Sequence, residues 1–181
     1  MPWNSPSMIS GLQSYFESIS ANDVDEAADK IAELYAASAI TVQPTIFFTV
    51  PLALNDASII AQGFSTSFKA ARELKDNISA DVWLPAASAI VAFWVDVMLN
   101  PLVPPPGGTL GVTNTVLVPG LPSPLNTDIS DAFSVTDDPL LTATKLNAAF
   151  LNHLSTVTGL WAGFAPGLPP IPFPFPWVGL S

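Results

Sequence analysis

His153 is the only histidine in the chain, and there is no cysteine at all, so nucleophilic or metal chemistry has very few groups to work with. A serine hydrolase would have to use His153 as its base, yet no Gly-x-Ser-x-Gly elbow occurs anywhere. A metal site would combine one imidazole with carboxylates, and His153 has no acidic residue three or four positions away. It sits instead on the apolar stripe of a predicted helix, where a hydrogen-bonded structural histidine is the simpler reading. Asp23, Asp25, Glu26 and Asp29 invite a calcium reading, but they lack the central glycine and closing glutamate of a calcium-binding hand loop. Acids crowded into the first turn of a helix explain the run through the helix dipole. Asp137 and Asp138 are adjacent, too close to flank a glycosidic bond, and read as a helix start before Pro139. The glycine-rich stretch from Gly107 to Gly111 lacks the lysine of a phosphate-binding loop. Catalytic, cofactor and metal sites are therefore all expected to be absent.

The residues best suited to contact lie at the other chemical extreme. From Pro166 to Ser181 the chain is uncharged and sets large apolar side chains between prolines: Ile171, Phe173, Phe175, Trp177, Val178 and Leu180. Proline blocks helix, so this stretch is expected to run as an extended polyproline arm. Phe173, Phe175 and Trp177 are too apolar to leave in water, and the arm must lie on its own domain, a neighbouring subunit or lipid. The six residues named are the candidate partner-binding set, and the arm is expected to be needed for assembly but not for folding.

Composition narrows the partners. Only 11% of the residues are charged, against roughly 25% in ordinary soluble domains, so a lone copy has little with which to solvate its surface. Oligomerisation or lipid would each relieve this. Five basic residues against fifteen acidic ones argue against phosphate-backbone binding, and the one basic cluster, Lys69, Arg72 and Lys75, reads as a solvated or inter-subunit helix face. No basic region followed by an apolar core opens the chain, so no signal peptide is expected.

These residues must be positioned by the following elements. Helical spacing places two helices between Ser7 and about Ser38, with Ser20 to Asn22 as the cap between them, and a third from Asn55 to about Lys75. Thr45 to Val50 reads as a short edge strand between Pro44 and Pro51. Val82 to Leu99 reads as one apolar helix, rising about 27 Å. Asp96 and the lack of flanking cations favour burial in protein, with insertion into lipid as the alternative. Residues 101–126 form a Pro/Gly-rich loop in which Leu110, Val112, Val116 and Val118 suggest a strand or a small hairpin turning at Asn114. A short helical turn at Asp128 to Phe133 and a last helix from Pro139 to about Trp161 follow. The expected fold is mainly α: about five helices with a small extended element, a Pro-rich internal loop and a C-terminal arm. Its parts are a helical block over 1–100, the loop over 101–126, the C-terminal helical part of the same domain over 127–163, and the docking arm over 164–181.

The Pro/Gly/Thr/Val-rich middle from Pro104 to Asn114, the helix from Leu151 to Trp161 and the apolar proline tail together resemble the small virion structural proteins of tailed bacteriophages. The resemblance is one of style over residues 101–181. It implies a subunit present in many copies in a capsid, neck, tail or baseplate, assembled in the host cytoplasm and fixed to copies of itself or to other virion proteins by extended arms. No enzymatic activity, cofactor, small-molecule substrate or sequence-specific nucleic acid is expected with it. The alternative is a membrane-associated pore or lysis-type protein that inserts residues 82–99.

Overall fold

The computed structural model describes residues 3–18, 23–45, 51–74, 79–99, 107, 113–134, 138–165 and 170–181. Among them are six helices, α1 (Ser5–Ser18), α2 (Val24–Ala39), α3 (Ser58–Leu74), α4 (Leu84–Phe93), α5 (Pro122–Phe133) and α6 (Pro139–Thr156). Five strands accompany them: β1 (Pro51–Ala53), β2 (Met98–Leu99), β3 (Thr113–Val118), β4 (Thr158–Ala165) and β5 (Ile171–Val178). The strands form one antiparallel sheet in the order β1-β2-β3-β4-β5. The fold is therefore α+β, which corrects the expectation of a mainly α domain with a small extended element. The chain returns twice to the growing sheet, once after α3 and α4 and once after α5 and α6.

The helices close into a ring. Each packs on the next in the sequence, and α6 packs back on α1. Period-3.6 stripes turn Met8 and Leu12 of α1, Ile31 and Tyr35 of α2, Ile60 and Phe64 of α3 and Leu146 and Phe150 of α6 into the centre, all without solvent exposure. Tyr35 lies at the crossing of Trp3, Phe93 and Phe150 in edge-to-face contacts. Its hydroxyl accepts from the Trp94 indole at 2.7 Å, so both polar tips are satisfied inside the core. Gly63 makes the α3–α4 contact possible: a Cβ there would lie 2.4 Å from Ala89 Cβ and 2.7 Å from the Pro85 carbonyl. The buried Ser67 hydroxyl on α3 accepts from the Ala86 amide, one of the first-turn donors that α4 cannot satisfy itself.

Several local expectations are revised. The segment from Val82 to Leu99 is not one helix: a 3-10 turn at Ala80–Trp83 leads into the ten-residue α4, after which Asp96 takes a left-handed φ of 54° and β2 begins. No described helix is long and apolar enough to cross a membrane. Asn55 does not cap α3. Its side-chain amide donates to the Phe93 and Val95 carbonyls at 3.0 and 2.9 Å, closing the C-terminus of α4, while the Asp56 carboxylate accepts from Ser58 N at the start of α3. The cap of α2 is Asp23, whose carboxylate accepts from the amides of Asp25 and Glu26; the proposed cap at 20–22 lies outside the described residues. The short turn at Asp128 is the second half of α5, which starts at Pro122 because proline in a first turn needs no donor. Asn114 is not a turn but a buried residue within β3, and α6 stops at Thr156, where the chain enters β4. Residues 46–50, read as most of an edge strand, and the strand positions 110 and 112 lie outside the described residues.

Candidate interaction surface

The C-terminal segment is a strand paired within the chain's own sheet, not an extended polyproline docking arm. Residues Ile171–Val178 pair with Thr158–Ala165 along the full length of both strands, from Thr158 opposite Val178 to Ala165 opposite Ile171. Three prolines fit because they fall on alternate residues, Pro172, Pro174 and Pro176. In an antiparallel ladder alternate residues direct their amides toward and away from the neighbour. Ile171, Phe173, Phe175 and Trp177 keep donors for β4, and the prolines take the positions whose amides would have pointed outward. β5 is thus an edge strand with its outer donors removed, the arrangement in which proline is tolerated in a sheet and strand addition is discouraged.

The same alternation sorts the six candidate contact residues. Trp177 and Leu180 are 1% and 2% exposed and belong to the protein's own core. Phe173 and Phe175 are half-buried against that core, and Phe173 meets Trp161 edge to face. Ile171 and Val178 remain 59% and 62% exposed. The Trp177 indole donates to Asn114 Oδ1 at 2.9 Å, joining β5 to β3 across β4 by a buried bond. Beyond β5 the chain bridges back to the N-terminal half: Ser181 N donates to the Gln43 carbonyl and Gln43 N to the Ser181 carbonyl, at 3.0 and 3.1 Å. Burial of Trp177 and Leu180 contributes roughly 1.5 to 3 kcal/mol each. The segment is therefore part of the fold, which corrects the expectation that it could be removed from a stable domain.

Directly opposed residues share a face of the sheet. On the inner face stand Asn114, Trp161 and Phe175 in one row and Val116, Gly159 and Trp177 in the next. The outer face carries Met98, Thr115, Leu160 and Pro176, then Thr113, Ala162 and Pro174, then Val118, Thr158 and Val178. None of these is charged. All twenty charged residues fall within 17–33, 56–96 and 128–145, outside every strand. Val118 and Val178 are 46% and 62% exposed, and Leu117, displaced by a bulge between Val116 and Val118, is 60% exposed. Reading the sequence alone located the apolar C-terminal residues but missed this face, because β4 was taken as the end of a helix.

His153, Asp25 and Asp138, weighed above for chemistry, each make defined structural contacts. His153 is buried, with Nε2 2.9 Å from the Pro119 carbonyl, so that nitrogen carries the proton and donates. Burial lowers its pKa to about 4, only partly opposed by the bond to Pro119. Asp25 accepts from Lys69 at 2.8 Å and from the Ser65 hydroxyl, and these hydrogen bonds hold its carboxyl below the usual range. Lys69 of the basic cluster is thereby paired, and Lys75 lies outside the described residues. Asp138 caps α6 by accepting from Leu141 N at 2.9 Å. Among the described residues no group of three histidine or acidic side chains converges to hold a metal ion. Comparison with family models, curated proteins and solved structures finds no match to the chain.

Proposed function

We propose that the chain is a non-enzymatic structural subunit of a multi-copy assembly, of the kind that builds the capsid, neck, tail or baseplate of a tailed-phage virion. The observation that carries the reading is the uncharged outer face of the sheet, with exposed Leu117, Val118 and Val178, in a chain whose charges all lie elsewhere. An uncharged face that carries exposed apolar side chains is the pattern of a protein contact. The virion context rests on the compositional resemblance of residues 101–181. The partners in this reading are copies of the chain and other particle proteins. Contact is made by the sheet face, since Trp177 and Leu180 of the C-terminal segment are spent on the protein's own core. The test is mass spectrometry of particles purified on a density gradient from cells that carry the coding sequence and produce virions. The reading expects the chain in the particle band at many copies per particle. Intact particles without the chain, with all of it left in the unassembled fraction, would overturn it.

A further inference from the structure

We propose that the corner formed by Pro119 and Gly120, closed on the buried imidazole of His153, is an acid-released latch between the sheet and the helical ring. It does not depend on the assembly reading.

The chain crosses between sheet and ring at two neighbouring points, from β3 into α5 and from α6 into β4. Val118, the last residue of β3, pairs with Thr158, the first of β4, so both crossings start from the same end of the sheet. His153 ties them together on the helix side. It stands one turn before the end of α6, and its Nε2–H donates to the Pro119 carbonyl at 2.9 Å. Gly120 closes the corner over the ring with a φ of 88°, which favours glycine. It lies so near that a Cβ there would be 2.5 Å from Nε2 and 2.7 Å from Cδ2 of His153. Thr156, also beside the corner, has its hydroxyl committed to the His153 carbonyl at 2.7 Å.

This enclosure suits the neutral ring and opposes the charged one. With the proton on Nε2, Nδ1 is a bare acceptor, buried and without a hydrogen-bond partner among the described residues. A second proton would place a donor and a full charge there, with no acceptor in reach. The charges on the elements packed against α6 are engaged elsewhere. On α5, Asp128 accepts from Asn152 and Asp131 pairs with Lys145; on α1, Glu17 accepts from Gln13, and Tyr15 is neutral throughout the acid range. Asp138 caps the far end of α6, the strands carry no charged side chain, and Ser181 is bridged to Gln43. Burial therefore decides the ionisation, holding the pKa at about 4 against the opposing pull of the Pro119 bond. When the corner lifts and the ring is solvated, the ordinary 6.5 returns, so protons bind the open form first. The latch is fully held above about pH 6.5 and loses its hold as pH falls toward 4. The opening equilibrium rises about 30-fold between pH 7.5 and 5, and about 300-fold well below pH 4.

Solution NMR of the full chain between about pH 7.5 and 5, above the range in which most of its fifteen carboxylates titrate, tests this. Chemical-exchange saturation transfer at the Gly120 and Leu121 amides reads the population of the open corner. The indole N–H resonances of Trp3 and Trp94, both hydrogen-bonded inside the ring, report whether the helices stay folded. In the wild type the open population is expected to rise about 30-fold from pH 7.5 to 5 with both indole resonances unmoved. His153→Gln, neutral throughout, should hold that population constant. Gly120→Ala props the corner off the ring, and in it the chain's only imidazole should titrate near 6.5 in place of about 4. If either variant does not fold, the other gives an independent readout beside the wild type. Four results would each overturn the latch: no open state in the wild type at pH 5, an equal rise in His153→Gln, indole resonances that open together with the corner, or a folded Gly120→Ala whose imidazole still titrates near 4.

Discussion

Gly159 stands directly opposite Trp177 in the β4–β5 ladder, and the indole occupies the space that any side chain at 159 would need. A Cβ on Gly159 would lie 2.0 Å from Trp177 Cζ2 and 2.4 Å from the Thr115 carbonyl oxygen. The obstacle on one side is backbone and on the other a fully enclosed ring, so neither can yield cheaply. Gly159→Ala is expected to cost about 2 to 4 kcal/mol, in the range of severe overpacking, read as a lowered urea midpoint. An unchanged midpoint would mean that Trp177 is not held in this position.

The Asn114–Trp177 bond gives a second, independent measure of the same strand. Asn114→Ala leaves the buried Trp177 indole N–H without its acceptor, and the expected loss is about 1 to 3 kcal/mol. The Trp177 indole N–H resonance, assigned by its loss in Trp177→Phe, should exchange with solvent faster in this variant. In Asn114→Asp the carboxylate can still accept from the indole but must be buried charged. That variant should therefore weaken more as pH rises from about 4 to 7.

His153 should make stability depend on pH in a defined window. Its folded pKa, about 4, lies below the ordinary value of 6.5, so the unfolded chain binds the proton first. The stabilising effect of keeping the imidazole neutral is complete above about pH 6.5 and is lost as pH falls toward 4. Wild type is expected to lose on the order of 3 kcal/mol across this window through His153. His153→Gln should flatten that slope between pH 6.5 and 5, where carboxylates contribute little. Parallel urea titrations at several pH values decide it: equal slopes in the two proteins would contradict the burial argument.

The prolines of β5 should act against aggregation more than for stability. Replacing Pro172, Pro174 and Pro176 together by threonine restores three outward amide donors to the sheet edge without removing a core contact, since all three prolines are exposed. The triple variant is expected to keep its circular dichroism spectrum and to aggregate faster on agitation, followed by thioflavin fluorescence. Equal rates for wild type and variant would show that the edge is protected by something else.

The α1 to α3 stripes were legible because apolar residues at 3.6 spacing became the core: Leu12, Ile31, Tyr35 and Phe64 are all enclosed. The sheet was hidden for two physical reasons. In β4 the inward positions 159 and 163 are glycines that make room for Trp177 and Trp161, so the period-two signal of a strand is erased where it should be strongest. In β5 the prolines suggested polyproline geometry, although their restriction to even positions, with aromatics on the odd ones, is the signature of an edge strand. α5 also had a readable signal, Leu125, Ile129 and Ala132 on one stripe, obscured by Pro122 and Pro124. The role of Asn55 at the end of α4 is set by tertiary contact and has no local trace. The outer-face patch became visible only once register placed Val118 and Val178 in one row.

The bridge between residues 43–45 and 179–181 also sets a clock. Thr45 and Val178, joined by a side-chain hydrogen bond, are separated by 133 residues. At a synthesis rate of about 5 to 20 residues per second, the first waits roughly 7 to 27 s for the second. The later helices and β3 emerge in that interval, ahead of β5. β5, the strand whose prolines close the edge of the sheet, is therefore synthesised after every helix of the ring.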